Sequence, residues 1–246
     1  MHLAPYFKQV TSTKINNVSS TIIFNCYEGF YLASKNNQDK VKLHEEINQK
    51  YNKNNLLEIA KKISYCIHTE ILNISSHSFE PYGESASLLI QADLSLYNSA
   101  TLHLKESHIT FHTYIEDILE DFIVVRLEFH ISSCSEANVF DSISILFNSK
   151  YSLSPDIATI DYLRRGAKYG HDKNDIIHDT HDISDTNFNG KYDIYKTSPS
   201  INTKNVVAII KKNLLIDKLK NINNFLSDAH ILDYRDFLIK SYTENI

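Results

Sequence analysis

Phe122-Ile123-Val124-Val125-Arg126-Leu127-Glu128-Phe129-His130-Ile131-Ser132 is the stretch on which the fold class turns. Ile123, Val125, Leu127, Phe129 and Ile131 recur at every second position, which puts them on one face of an extended chain. Branched and aromatic side chains suit such a half-buried pleated surface. The segment 102–114 just upstream repeats the pattern through Ile109, Phe111 and Thr113. Residues 107–114 and 122–132 are therefore expected as neighbouring strands of one antiparallel sheet, with Cys134 brought close to Ser107.

Outward from this pair, further strands are expected at 19–27, 70–75, 86–91 and 157–163. Helical spacing predicts helices at 41–51 and 139–147. Another is expected from Asn55, a candidate N-cap followed by Leu56, Ile59, Ala60, Ile63 and Ile67. The run 206–225, with Ile209, Ile210, Leu214, Leu215 and Leu219, reads as a further helix. Glu80-Pro81-Tyr82-Gly83 reads as a turn. Strands alternating with helices, and adjacent strands in the centre, predict an α+β fold: an antiparallel sheet covered by helices on one face. The helices near 55–67 and 136–149 should provide that cover. No repeat or linker divides the chain, so residues 1–246 are expected to form a single domain.

Composition excludes several classes. Of 246 residues, 42% are hydrophobic and 22% charged, as in ordinary globular proteins. A net charge of −5 with scattered Lys and Arg argues against a nucleic-acid partner. No apolar run reaches the roughly 18–20 residues that span a bilayer, and the start of the chain lacks the pattern of a secretory signal. Cys26, Cys66 and Cys134 are odd in number and far apart, so they read as reduced thiols in a cytoplasmic protein.

The chemistry-bearing residues cluster on the two central strands. Glu106-Ser107-His108-Ile109-Thr110-Phe111-His112-Thr113-Tyr114-Ile115-Glu116 is followed, one strand later, by Ser132-Ser133-Cys134-Ser135. A hydroxyl, imidazoles, a thiol and a carboxylate thus fall on neighbouring strands. On pattern alone, the simpler reading is a sheet with one polar face.

At these residues the chain resembles the longer bacterial class of S-adenosylmethionine decarboxylase proenzymes. The family's Glu/Lys-Ser-His-Ile-x-x-His-Thr-Tyr/Trp-Pro-Glu segment, with Ser-Thr-Cys-Gly some two dozen residues on, is matched at Glu106, Ser107, His108, Ile109, His112, Thr113, Tyr114, Glu116, Ser132 and Cys134. Two further stretches, Glu70-Ile71-Leu72-Asn73-Ile74 with Glu80-Pro81-Tyr82-Gly83, and Asp156 to Gly166, are similar to family segments in the same order. Only the last sixty or so residues match loosely. Ile115, Ser133, Ser135 and Ala167 depart from the pattern.

The resemblance implies autocatalytic cleavage between Glu106 and Ser107 into a β chain (1–106) and an α chain (107–246). Residue 107 would become a pyruvoyl group, the electron sink for decarboxylating S-adenosylmethionine to the aminopropyl donor of spermidine synthesis. It assigns proton movement during cleavage to His112, protonation of the substrate carbon to Cys134, and substrate binding to Glu116 and Tyr114. Phe24, Tyr27 and Phe111 are further candidate rings for the substrate. Mg2+ is expected as an activator without assigned ligands, and a homo-oligomer of cleaved protomers as the assembly. Decarboxylation of ornithine or arginine, or a non-processing regulatory role, are the alternatives. Ser107 and His112 are five apart and would face opposite ways on an unbroken strand, so Ser107 is expected just ahead of the regular strand.

Two other patterns lead to no assigned metal. Residues 185–193 follow the first nine positions of an EF-hand loop, but Lys196 stands where the bidentate Glu belongs. His171, His178 and His181 among aspartates fit a solvated acidic loop.

Overall fold

The computed structural model describes residues 19–32, 36–79, 83–92, 106–119, 122–133, 139–147, 153–165, 190–196, 206–212, 233–238 and 240. In chain order the elements are β1 (Ser19–Tyr31), α1 (Asn37–Lys50), α2 (Lys53–Cys66), β2 (Thr69–Ser78), β3 (Glu84–Ala92), β4 (Glu106–Leu119) and β5 (Phe122–Ser133). A short 3-10 turn (Val139–Asp141) then leads into α3 (Ser142–Leu146), followed by β6 (Ile157–Arg165), β7 (Tyr192–Lys196) and β8 (Val206–Lys211). The strands form one sheet in the order β2-β3-β4-β5-β1-β6-β8-β7. Every pairing is antiparallel.

The alternation seen in the sequence separates the two faces. Ile22 and Phe24 on β1, Leu88 and Ile90 on β3, Ile109 and Phe111 on β4, and Leu127, Phe129 and Ile131 on β5 are buried in one cluster with Ile47, Leu56, Ile59, Ile63, Ile143 and Leu146 from the helices. This is the expected α+β arrangement, with α1, α2 and α3 over one face of the sheet. Phe111 and Phe129 are register partners, their ring centroids 5.5 Å apart, so the centre of this layer is a cross-strand aromatic pair.

Each long helix begins at an asparagine cap. Asn36 Oδ1 accepts from Asp39 N at 2.8 Å, and Asn52 Oδ1 accepts from Asn55 N at 2.9 Å. The cap of α2 is thus Asn52 rather than the expected Asn55. Asn55 lies one turn inside, where its amide donates to the carbonyls of Gln49 and Lys50.

The region 206–225 corrects the expectation of a helix. Val206–Lys211 is a strand between β6 and β7; residues 213–225 lie outside the described residues. Val206, Val207, Ile209 and Ile210 are β-branched, and pairing on both sides decides the state of so short an apolar run. β7 also went unread, because Gly190, in a left-handed conformation (φ 66°), and the polar residues before it mask the strand that follows.

The opposite face is closed at one end. Tyr27, Phe122, Val124 and Ile157 pack with Tyr234 and Leu238 of the helical segment 233–238. The Tyr234 ring stacks on Phe122 with centroids 4.3 Å apart, and its hydroxyl donates to Asp156 Oδ2 at 2.7 Å. The same carboxylate oxygen accepts from Gly29 N at 2.8 Å. A Cβ at Gly29 would lie 2.1 Å from the Tyr234 hydroxyl, so only glycine fits here.

Candidate functional site

Ser107 is the second residue of β4 and pairs with Ile90 of β3 with no break in register. It lies inside the regular strand, not ahead of it as expected. Its side chain is 2% exposed and faces the helix-covered layer, on the same side as Ile109 and Phe111. The Ser107 hydroxyl donates to Ser133 Oγ at 3.4 Å, and Ser133 on β5 is fully buried. Ser20, 3% exposed, is the register partner of Ser133 on β1. Three buried serines thus run across β4, β5 and β1 on the helix-covered side of the sheet.

His112, five positions on, points to the other face together with His108, Thr110 and Tyr114. Across the ladder, His108 pairs with Ser132, Thr110 with His130, His112 with Glu128 and Tyr114 with Arg126. The Arg126 guanidinium carbon lies 4.2 Å from the Tyr114 ring centroid, a cation–π contact, and Arg126 Nε is 3.7 Å from Glu128 Oε1. The His112 and Tyr114 rings are near-parallel at 6.4 Å. Ser132 Oγ shares a 3.0 Å hydrogen bond with Thr21 Oγ1. The His108 pKa lies below 6.5, first because burial disfavours the imidazolium and then through the charge of His130. In the intact chain, Ser107 and His112 therefore occupy opposite faces of β4, and the unbroken register between β3 and β4 keeps them there.

The other expected site residues are placed unequally. Tyr114 is 39% exposed, with Arg126 over its ring. Glu116 is on β4 opposite Val124. Cys134 and the segment 80–82 lie outside the described residues, as do His171, His178, His181 and 185–189. Phe24 and Phe111 are fully buried under the helices, so they cannot serve as stacking surfaces, and Tyr27 is packed beside Tyr234. Cys26 is an inert core thiol, its pKa pushed up to about 12 by burial and then by the charge of Glu28. Glu28, itself buried, is held by Lys50 Nζ at 2.7 Å and by the Tyr51 hydroxyl.

Sequence reading passed over Ser20, His130 and Arg126. Their signal lies in register: each becomes visible only when the strands are laid side by side. Among the described residues no three His, Cys, Asp or Glu side chains come together as a metal site, and no helix is long and apolar enough to cross a membrane.

Fold and site together define a class: an antiparallel sheet backed by helices, with a buried serine in a central strand and a histidine-rich surface on that strand's reverse. Within that class, the chain is similar in sequence to S-adenosylmethionine decarboxylase proenzymes. That of Clostridium perfringens (strain SM101 / Type A) is 30% identical over 170 residues, 61% of either chain. That of Alcanivorax borkumensis is 26% identical over 243 residues, 92% of this chain and 82% of its own. The match to the first of these relatives spans about three fifths of its length. A crystal structure of the adenosylmethionine decarboxylase from Aquifex aeolicus aligns with 62% of this chain and 93% of its own, at 14% identity and a TM-score of 0.32. No family model matches the chain.

Proposed function

We propose that this protein is a self-processing pyruvoyl enzyme that decarboxylates S-adenosylmethionine. The observation that carries the reading is the Glu106-Ser107 junction in a chain similar to proenzymes of that name: a serine hydroxyl already held by a neighbour, beside the peptide bond to be cut. Those relatives do not favour ornithine or arginine as substrate.

The residues present fit the formation of the prosthetic group. Ser107 Oγ attacks the carbonyl carbon of Glu106; the C–N bond breaks, an ester forms, and the hydroxyl proton passes to the released amine. Loss of the Ser107 Cα proton then expels the Glu106 carboxylate from Cβ. Water replaces the nitrogen, which leaves as ammonia. Serine is suited to this because it carries both the nucleophile and the β-leaving group on one carbon. The pyruvoyl group supplies a carbonyl that takes up the substrate amine and draws electrons as CO2 departs.

Tyr114, on the other face of β4, is assigned as a ring for the substrate, Glu116 as a carboxylate for the ribose hydroxyls and Cys134 as the proton donor to the substrate carbon, all acting once residue 107 is freed from the ladder. His112 is assigned proton movement during cleavage, as the resemblance implies; it lies on the other face of β4, so this role requires residue 107 to leave the β3–β4 ladder. We further place the enzyme in the cytoplasm, as a homo-oligomer of cleaved protomers, with Mg2+ as an activator.

Intact-mass analysis of the purified chain tests the processing. Two fragments, 1–106 and 107–246, are expected, the second blocked at its N-terminus; Ser107→Ala should remain full length and folded. A wild-type chain that stays whole on prolonged incubation rejects the reading. Release of CO2 from labelled S-adenosylmethionine, but not from ornithine or arginine, tests the substrate.

A further inference from the structure

Ser133 is fully buried in a row of large apolar side chains on β5. Ile131 two residues earlier, Ile22 on β1 and Ile109 on β4 are fully buried or nearly so, and all point into the same layer. A hydroxyl in such a layer is kept out of water and must find its partners within the protein. Ser133 lies between two other buried hydroxyl residues, Ser107 on β4 and Ser20 on β1.

We propose that Ser133 is a positioning residue for the cleavage at Ser107, fixing the rotamer and polarising the hydroxyl that attacks the Glu106 carbonyl. The proposal rests on the processing reading above. The 3.4 Å bond runs from the Ser107 hydroxyl to Ser133 Oγ, which orients the proton toward the neighbour and draws electron density onto the oxygen that attacks the carbonyl carbon. It is long for a hydroxyl–hydroxyl bond, as ground-state bonds at reacting groups often are before they tighten on the path to the transition state. The imidazole of His112 is on the other face of β4 and does not compete for this proton while the strand is regular. Ser20 completes the row from the far side, on the strand that pairs with β5.

The first-order rate of fragment appearance, followed by denaturing gel and intact mass on the full chain, tests this in Ser133→Ala, Ser133→Thr and Ser133→Val. Thr and Val have nearly the same shape and differ by the hydroxyl. Ser133→Thr should process within about threefold of wild type, and Ser133→Val and Ser133→Ala at least roughly tenfold more slowly, the scale of one lost hydrogen bond. The thermal midpoints of Thr and Val variants should agree, which separates positioning from damage to the fold. Equal rates for Thr and Val overturn the proposal whatever Ser133→Ala does. If wild type cleaves while Ser133→Val cleaves as fast, the positioning role falls and the processing reading stands. If wild type does not cleave at all, both fall.

Discussion

His108 shows how an individual side chain on the surface of β4 is set by its neighbours. Burial and the nearby His130 hold its pKa below the ordinary 6.5. The folded chain therefore binds this proton less readily than the unfolded chain does. Stability from this residue is complete above pH 6.5 and is lost as pH falls through the depressed value. Urea midpoints at pH 7.5 and pH 5.0 should drop on acidification in wild type and drop less in His108→Gln. Identical losses in both proteins would show that His108 does not carry this dependence. The positions of His108, His112 and Tyr114 were legible as an alternating strand, because side-chain period alone fixes their common face. The placing of Ser107 was not. A five-residue separation says that two residues oppose each other, but not whether the strand has already begun, and the register with Ile90 settles that.

At the scale of elements, β5 is the central support. It pairs with β4 on one side and β1 on the other, and its inward row of Ile123, Val125, Leu127, Phe129 and Ile131 lies in the core. Removing the Phe129 ring opens a cavity against Phe111, so Phe129→Ala should lower unfolding free energy by about 3–5 kcal/mol. Denaturant unfolding in a Ser107→Ala background, which the proposed processing would leave whole, measures it cleanly, and a loss under about 1 kcal/mol would mean that the layer collapses to refill the space. β5 was the easiest element to read because its alternation is long and uninterrupted. β8 was misread for the converse reason. Val206–Lys211 has six residues, too few for period two to exclude a helix, and the apolar positions that follow in sequence continue at helical spacing.

In the whole molecule, the opposite face of the sheet is fastened at one end by the Gly29–Asp156–Tyr234 contact. Asp156 accepts from a strand backbone and from a residue 78 positions away, joining three distant parts of the chain. Gly29→Ala should displace the Tyr234 ring, costing about 1–3 kcal/mol as overpacking does, and should expose 233–238 to protease. Unchanged proteolysis there would show that the segment is held without this contact. Nothing in the sequence announces the clasp. Gly29 and Tyr234 are ordinary residues until the fold brings them within van der Waals distance.

The strand order has a further consequence for a chain cut before Ser107. β1, β2 and β3 would belong to one piece and β4 to β8 to the other, yet β1 is seated between β5 and β6. The pieces are interleaved like the teeth of a closed zip, joined along β3–β4, β1–β5 and β1–β6. Withdrawing β1 would tear the sheet along two seams at once, so neither half can be exchanged for a fresh copy. A chain nicked in this way is, for its working lifetime, a permanent pairing of two polypeptides that were synthesised as one.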